Sequence, residues 1–219
     1  VIVLIITAVR IKSMDSHRIS GRILAENIAG PGMLRLVEQS MQARARKTSV
    51  TEIAVKERKH PQAALTFDDG PDIRYTPLLL DGLKERNVRV SFFLLGEKVE
   101  QYPELVERMQ KEGHLVGNHT YHHVQLNKLN ETKAREEILK TNNLIYETTG
   151  VYPLYLRPPF GAWKKNLELC VEMLPVFWTI DTLDWKVQNT EKIVRTVQEQ
   201  IEDGAIILMH DEYDTSVEA

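Results

Sequence analysis

Short apolar segments alternate with amphipathic segments from residue 62 to residue 209, and this alternation leaves few fold classes open. Strands are predicted at residues 63–67, 89–95, 114–118, 154–157, 176–180 and 205–209. Helical spacing predicts helices at residues 77–86, 102–111, 131–148, 167–173 and 190–201. Strands that alternate with helices form a parallel sheet, because each parallel connection needs a crossover. Short strands buried on both faces favour an α/β barrel. Six strands are too few to close a barrel, so at least one more strand is needed, and the N-terminal segment is a candidate for it.

The composition is typical of a globular protein with a hydrophobic core. Of the 219 residues, 42% are hydrophobic and 27% are charged. The formal net charge of −3 argues against nucleic acid as a partner, since nucleic-acid-binding domains are usually basic. The character of the sequence changes near Pro61, so we divide the chain into a flanking segment, 1–60, and a main domain, 61–219.

The flanking segment is basic and opens with the apolar run VIVLIITAV. Nine residues are too few to cross a bilayer, which takes about 20. Two interpretations stay open: the end of a signal peptide or membrane anchor that starts upstream of Val1, or a first strand packed on the domain. The single cysteine, Cys170, rules out an intrachain disulfide and says nothing about the compartment.

Chemically capable side chains follow the predicted strands, at the ends where barrel enzymes place their active sites. These strand ends carry Asp68 and Asp69, then His119 to His123, Arg157, Asp181 to Asp184, and His210 with Asp211. Because the carboxyl ends of parallel strands meet at one rim, we expect these side chains to lie close together.

His119 and His123 have the spacing of two ligands to one metal ion. A carboxylate from another strand would complete a three-ligand site with open positions for water and substrate. The alternative is a pair of ordinary core or surface histidines. His122, between them, is expected to point elsewhere.

The adjacent carboxylates Asp68 and Asp69 can divide two tasks, metal binding and proton transfer. A cation beside them offsets their mutual repulsion and keeps both ionised. The alternative is an ordinary Asp-Asp-Gly-Pro surface turn. The histidine pair favours the metal interpretation.

Five motifs in this order, TFDDGP, HTYHH, RPPFG, DTLDW and ILMHD, resemble those of the polysaccharide deacetylases, the NodB-homology members of carbohydrate esterase family 4. The segment VSFFLLG is similar to the second strand of that family. The resemblance covers residues 62–214. It implies a distorted (β/α) barrel of parallel strands and the metal-dependent removal of acetyl groups from N-acetylated sugars.

The resemblance also implies a role for each matching residue. The implied catalytic residues are Asp68 as base, Arg157 as its salt-bridge partner, His210 as general acid, and Asp184 as the carboxylate that orients His210. The implied metal ligands are Asp69, His119 and His123. The implied substrate-binding residues are Phe160, through its backbone N–H, and Trp185 and Leu208, as walls of a pocket for the acetyl methyl group.

The sequence departs from the family pattern in two places. Phe160 stands where the family usually has tyrosine, so any contact made by that hydroxyl is missing. The family domain normally continues past the last motif with a helix and a strand, whereas this sequence ends at Ala219. Two interpretations stay open: the given sequence stops short of the domain's end and leaves the barrel incomplete there, or the barrel is completed in another way.

The resulting functional prediction is a metal-dependent hydrolase that removes N-acetyl groups from a polysaccharide, with peptidoglycan N-acetylglucosamine as the favoured substrate. Alternatives within the family are an O-acetyl xylan esterase and a chitooligosaccharide deacetylase. A glycan-binding module without turnover is the alternative from another class. The expected cofactor is a divalent metal, with zinc favoured and cobalt and nickel as alternatives that fit the same ligands. The expected location is extracellular or at the cell surface.

Overall fold

The computed structural model describes residues 61–163 and 173–219. The flanking segment, with both interpretations of its apolar run, lies outside the described residues. So does the predicted helix at 167–173, apart from Met173.

Seven strands, all paired in parallel, form one curled sheet. They are β1 (Ala63–Asp68), β2 (Ser91–Leu94), β3 (Leu115–Asn118), β4 (Tyr155–Leu156), β5 (Leu174–Pro175), β6 (Ile180–Asp181) and β7 (Ala205–His210). Their order across the sheet is β5-β4-β3-β2-β1-β7-β6. The predicted parallel α/β architecture is confirmed.

The predicted strand at 176–180 is wrong in its extent, and the sheet has seven strands where six were predicted. In place of the predicted strand at 176–180, the sheet has β5 at one edge and β6 at the other. Val176 N–H still donates to Leu156 O of β4, at 2.8 Å, and Thr179 N–H donates to Ile206 O of β7, at 2.9 Å. Only residues 177 and 178 separate Val176 from Thr179, so the chain between them spans at most about 10 Å. At this point the two edges of the sheet are therefore about 10 Å apart or less. The sheet is therefore curled into a nearly closed, distorted barrel.

Helices connect the strands. They are α1 (Tyr75–Glu85), α2 (Gly96–Gln101), α3 (Pro103–Lys111), α4 (Glu131–Thr149), α5 (Asp184–Val187), α6 (Thr190–Gln200) and α7 (Asp214–Glu218). The sequence did not predict α2, α5 or α7. Helix α6 is capped by Asn189, whose side chain accepts from Lys192 N–H at 2.9 Å. Within the described ranges, no helix has the length and apolarity needed to cross a membrane.

The core lies between the sheet and the helices. Phe67 of β1 and Phe92 of β2 stack with ring centroids 5.6 Å apart, and both are almost wholly buried. A second, smaller cluster of Leu126, Ala134, Ile138 and Leu156 lies under α4. Burial of both sheet faces fixes the strands, so the residues that follow each strand emerge at a rigid rim.

Candidate metal centre and catalytic site

Strand register brings the candidate residues to one rim. Asp68 at the end of β1 is paired with His210 at the end of β7. Asn118 of β3 is paired with Leu156 of β4, so that the next residues, His119 and Arg157, leave the sheet side by side. The sequence-based expectation that the polar strand ends meet at one edge agrees with this arrangement.

Asp69, His119 and His123 form a candidate metal site. One oxygen of Asp69, Oδ1, lies 3.3 Å from His119 Nε2 and 3.4 Å from His123 Nε2. All three ligand atoms lie within 4.8 Å of one another. Tetrahedral zinc with bonds of about 2.0–2.1 Å separates its ligand atoms by about 3.3 Å. The donor set and its spacing therefore fit one small divalent cation.

The hydrogen bonding of Asp69 supports the same conclusion. Its Oδ1 is buried and has no hydrogen-bond partner among the described residues, although it faces two imidazole nitrogens. Burial by itself raises the pKa of Asp69, but the close approach of His119 and the charges of His119, His123 and His210 outweigh it, so that the pKa falls far below its ordinary value. A buried, ionised and unpartnered oxygen is suited to a cation.

The orientation of His119 leaves Nε2 free for a metal. Its Nδ1 lies 2.6 Å from Arg157 O, and this carbonyl can only accept, so Nδ1 carries the proton. In metal-binding histidines, a hydrogen bond from the ring nitrogen that does not bind the metal fixes the ring orientation and the tautomer. His119 itself is 2% exposed, which also restricts its rotamers.

The loop that carries His123 is held by α4. Glu137 Oε2 accepts from the backbone N–H groups of Tyr121, at 3.0 Å, and His122, at 2.9 Å. Glu137 Oε1 lies 2.8 Å from His122 Nδ1. His122 therefore turns away from the candidate metal site, as expected. Glu137 was missed by sequence reasoning, since nothing in a helical Glu marks it as a loop anchor.

Asp68 lies on one side of the candidate metal site, bound to Arg157. Arg157 Nη1 lies 2.7 Å from Asp68 Oδ1 and 2.7 Å from Thr66 Oγ1. The other oxygen, Asp68 Oδ2, lies 3.7 Å from His119 Nε2. Sequence reasoning also missed Thr66, which lies on β1 two residues before Asp68. The Thr66 hydroxyl donates to Ile207 O at 2.6 Å. Asp68 therefore presents one oxygen to the site while the other is anchored.

His210 also lies beside the candidate metal site and is bound to Asp184. His210 Nδ1 is 2.7 Å from Asp184 Oδ1, and His210 Nε2 is 3.9 Å from Asp69 Oδ2. The second oxygen of Asp184 accepts from His210 N–H and from the Ser216 hydroxyl, both at 2.7 Å. Ser216 belongs to α7, a helix that the sequence analysis did not predict.

This pair stabilises the charged form of both partners. Burial lowers the pKa of His210, but the hydrogen bond and the charge of Asp184 outweigh it, and the net shift is upward. Burial raises the pKa of Asp184, but the hydrogen bonds of His210 and Ser216 outweigh it, and the net shift is downward. The geometry therefore favours an imidazolium that directs Nε2–H toward the site.

The three substrate-binding candidates differ in accessibility. Phe160 is 62% exposed, has a φ of 59° and places its ring 4.5 Å from that of His123. Trp185 is 49% exposed and directly follows Asp184, whereas Leu208 is buried within β7, in register with Thr66. Phe160 thus borders the candidate metal site directly. The pocket predicted between Trp185 and Leu208 stays a prediction.

Comparison with known proteins places these motifs in a family. A family model described as polysaccharide deacetylase matches residues 55–176. A peptidoglycan-N-acetylglucosamine deacetylase from Bacillus cereus is 43% identical over 152 residues, which cover 68% of this chain and 55% of the relative. A chitooligosaccharide deacetylase from a Bradyrhizobium strain is 36% identical over 153 residues, covering 68% of this chain and 70% of the relative.

The fold agrees with that of a solved relative. The structure of peptidoglycan deacetylase PdaC from Bacillus subtilis superimposes with a TM-score of 0.71 at 40% identity, covering 74% of this chain and 80% of that chain. The chain spans about half the length of the Bacillus cereus relative. The matched region contains the residues that build the candidate metal centre. The chain belongs to the polysaccharide deacetylase family.

Proposed function

We propose that this protein is a metal-dependent hydrolase that removes N-acetyl groups from a polysaccharide, with peptidoglycan N-acetylglucosamine as its substrate. The observation that carries the proposal is the placement of two differently anchored groups within 4 Å of one metal triad. Asp68 is held by Arg157, and His210 is held by Asp184. A protein that only binds a metal or a glycan has no use for a base and an acid in these positions.

Asp69, His119 and His123 would hold the cation, and we propose zinc because two imidazoles and one carboxylate with open positions are its usual catalytic donor set. When bound, zinc supplies a Lewis acid for the acetyl carbonyl and lowers the pKa of water. Cobalt and nickel accept the same ligands, so the choice among the three metals is a matter for measurement.

Asp68 acts as the general base in this proposal. Arg157 immobilises Oδ1, and Oδ2 faces the site near His119 Nε2. A carboxylate fixed at one oxygen loses little rotational freedom when the other oxygen accepts a proton from the attacking water. Geometry of this kind, a base within reach of the water it activates, is the first requirement for general-base catalysis.

His210 acts as the general acid. An amine leaves only after protonation, so deacetylation of an amide needs a proton donor on the leaving-group side. Asp184 fixes the tautomer with Nδ1–H directed at the carboxylate and Nε2–H directed toward the site. Phe160, whose ring lies 4.5 Å from that of His123, and Trp185, which directly follows Asp184, are both exposed and are the side chains we propose to contact the polymer.

The substrate proposal draws on the relatives. The Bacillus cereus protein is named for peptidoglycan N-acetylglucosamine, and the Bradyrhizobium protein for chitooligosaccharides. Both contain N-acetylglucosamine, so a chitooligosaccharide is the second candidate. Because these polymers lie outside the cytoplasm, we propose that the protein works extracellularly or at the cell surface, which fractionation of the producing cells would test.

Acetate release tests the function. The protein, stripped with a chelator and reloaded with zinc, would be incubated with peptidoglycan, chitooligosaccharides and acetylated xylan. We expect zinc-dependent acetate release that is fastest from peptidoglycan. Asp68→Asn, which keeps the shape of the base and leaves the metal ligands intact, serves as the matched control and should bind zinc without releasing acetate. Full activity in the metal-free protein, or in Asp68→Asn, would contradict the proposal.

A further inference from the structure

Asp211 is a fully buried carboxyl group that the proposed mechanism does not use. It is 0% exposed and directly follows His210, at the end of β7. Its Oδ2 accepts from Thr76 Oγ1 at 2.5 Å, while its Oδ1 has no hydrogen-bond partner within the described part of the chain. A buried acid with one free oxygen is destabilising by itself, so its position needs a reason.

The carboxyl group of Asp211 lies directly on Gly70. A Cβ atom at Gly70 would come within 2.3 Å of Asp211 Oδ1 and 2.4 Å of Oδ2, distances that no real side chain allows. Gly70 directly follows the metal-ligand candidate Asp69. The carbonyl of Gly70 also accepts from Leu95 N–H at 3.1 Å. The backbone next to Asp69 is thus confined between the end of β2 and the side chain of Asp211.

Thr76 extends this contact to the far end of the same loop. Its hydroxyl donates to Asp211 and accepts from Asp72 N–H at 2.7 Å. Thr76 is 0% exposed, so water does not compete for either hydrogen bond. The loop that follows β1 is therefore attached to Asp211 at two points, Gly70 and Thr76.

Asp69 needs such support, because its backbone is in the left-handed region, with a φ of 72°. For a residue other than glycine this conformation costs about 1 kcal/mol or more, and it persists only where the surrounding structure imposes it. The same conformation directs Asp69 Oδ1 at the two imidazole nitrogens. Whatever holds Gly70 therefore also holds the carboxylate of the candidate metal site.

We propose that Asp211 is a positioning residue whose carboxyl group holds Asp69 in its metal-binding conformation and sets the spacing between Asp69 and His210. The proposal rests on the proposed function of the site and adds a residue to it. Burial raises the pKa of Asp211 to about 7, although the Thr76 hydrogen bond and the charge of Lys98 oppose that shift. A carboxyl group that takes up a proton this readily can lie near Asp69 with less repulsion than two full charges would produce.

Two matched pairs of variants separate contact from mere folding. Asp211→Ala removes the contact with Gly70, whereas Asp211→Asn keeps the shape and an oxygen for Thr76. Thr76→Val keeps the volume and loses both hydrogen bonds, whereas Thr76→Ser keeps the hydroxyl. His114→Ala, a buried polar residue just before β3 at the opposite end of the sheet, provides a destabilised control.

The main readout is zinc affinity, measured by competition with a chromophoric chelator, together with the visible absorption spectrum of the cobalt-loaded protein. Mutation of a residue that supports a metal ligand without binding the metal itself typically weakens metal affinity about 10–100-fold. We expect Asp211→Ala and Thr76→Val to raise the zinc dissociation constant at least about tenfold and to alter the cobalt spectrum. Asp211→Asn, Thr76→Ser and His114→Ala should stay within about threefold of the parent.

Dissociation constants within about threefold in both Asp211→Ala and Thr76→Val would overturn the proposal, because their effects would then be on stability alone. Equal losses in Asp211→Asn and Asp211→Ala would also overturn it, since charge and not contact would be responsible. If Asp211→Ala does not fold, Thr76→Val against Thr76→Ser decides. Failure of the zinc-loaded parent to release acetate would refute the proposed function but leave this test intact.

Discussion

Arg157, which directly follows β4, and Asp68, at the end of β1, form an ion pair that is sealed from solvent. Nη1 lies 2.7 Å from Oδ1, and the exposed fractions of the two side chains are 0% and 4%. The guanidinium also contacts Thr66 Oγ1 and lies 4.2 Å from the centroid of the Phe93 ring. The pair therefore connects the proposed base to the core.

Removal of Arg157 should strongly destabilise the fold. Arg157→Ala leaves Asp68 buried without its partner, and loss of one member of a buried pair typically lowers the free energy of unfolding by about 3–5 kcal/mol. Arg108→Ala is the control, because Arg108 pairs with Asp81 and Glu112 nearer the surface and should lose about 1 kcal/mol or less. Urea denaturation measures both. Similar losses in the two variants would contradict a special role for the buried pair.

The histidine-rich loop offers an internal control for metal binding. His123→Ala removes a ligand candidate whose Nε2 lies 3.4 Å from Asp69 Oδ1, and should weaken zinc binding by about 100-fold or more. His122→Ala changes the neighbouring histidine, which is exposed and paired with Glu137, and should change zinc affinity less than about threefold. Isothermal titration of zinc into the stripped proteins would distinguish them. Equal effects would show that the triad is assigned incorrectly.

Substitution of Asp184 should change kcat much more than KM. Asp184→Asn keeps the shape but donates where a carboxylate accepted, so the tautomer of His210 is no longer fixed. We expect kcat to fall by about 10²–10⁴-fold with KM within about threefold, by the precedent of carboxylate–histidine pairs. Ser216→Ala, which removes only one hydrogen bond to Asp184, should lower kcat by less than about tenfold. An unchanged kcat in Asp184→Asn would exclude His210 as the acid.

Phe160 tests whether the departure from the family pattern matters. The ring is 62% exposed, so Phe160→Tyr adds a hydroxyl in solvent and should leave the free energy of unfolding within about 0.5 kcal/mol. If only the backbone N–H of residue 160 serves the reaction, kcat/KM should stay within about threefold on every substrate tested. A change of tenfold or more for one glycan would instead show that the missing hydroxyl sets specificity.

His114 should make stability sensitive to acid. Burial lowers the pKa of His114, partly opposed by the charge of Glu112, so the folded protein binds the proton less readily than the unfolded chain does. Its stabilising contribution is therefore present at neutral pH and is lost as the pH falls through the ordinary histidine pKa of about 6.5. His114→Asn keeps an acceptor for Val90 N–H, at 3.2 Å from Nδ1, without titrating. Between pH 7.5 and 5.5, the parent should lose unfolding free energy relative to this variant; parallel curves would contradict the assignment.

The sequence alone determined the alternation of strands and helices, the parallel sheet and the rim at which the motifs meet. It did so because burial on both faces of a strand and on one face of a helix leaves a local, periodic pattern. Helix α4, predicted at 131–148 and found at Glu131–Thr149, shows that the bounds of a long amphipathic helix can be predicted closely from sequence. The two histidine candidates were found from their spacing of four residues, whereas the family resemblance singled out Asp69 as the third ligand.

Only the tertiary structure decided which atoms face one another. Thr76 reaches Asp211 across 135 residues of sequence. Arg157 reaches Asp68 across 89, a pair that the family resemblance implied but that no pattern in the residues themselves revealed. The short edge strands β5 and β6 likewise depend on pairing with β4 and β7, and their few residues carry no pattern of their own. Contacts between distant segments depend on how the sheet curls, and the curl results from packing over the whole domain, to which no single stretch of sequence is a guide.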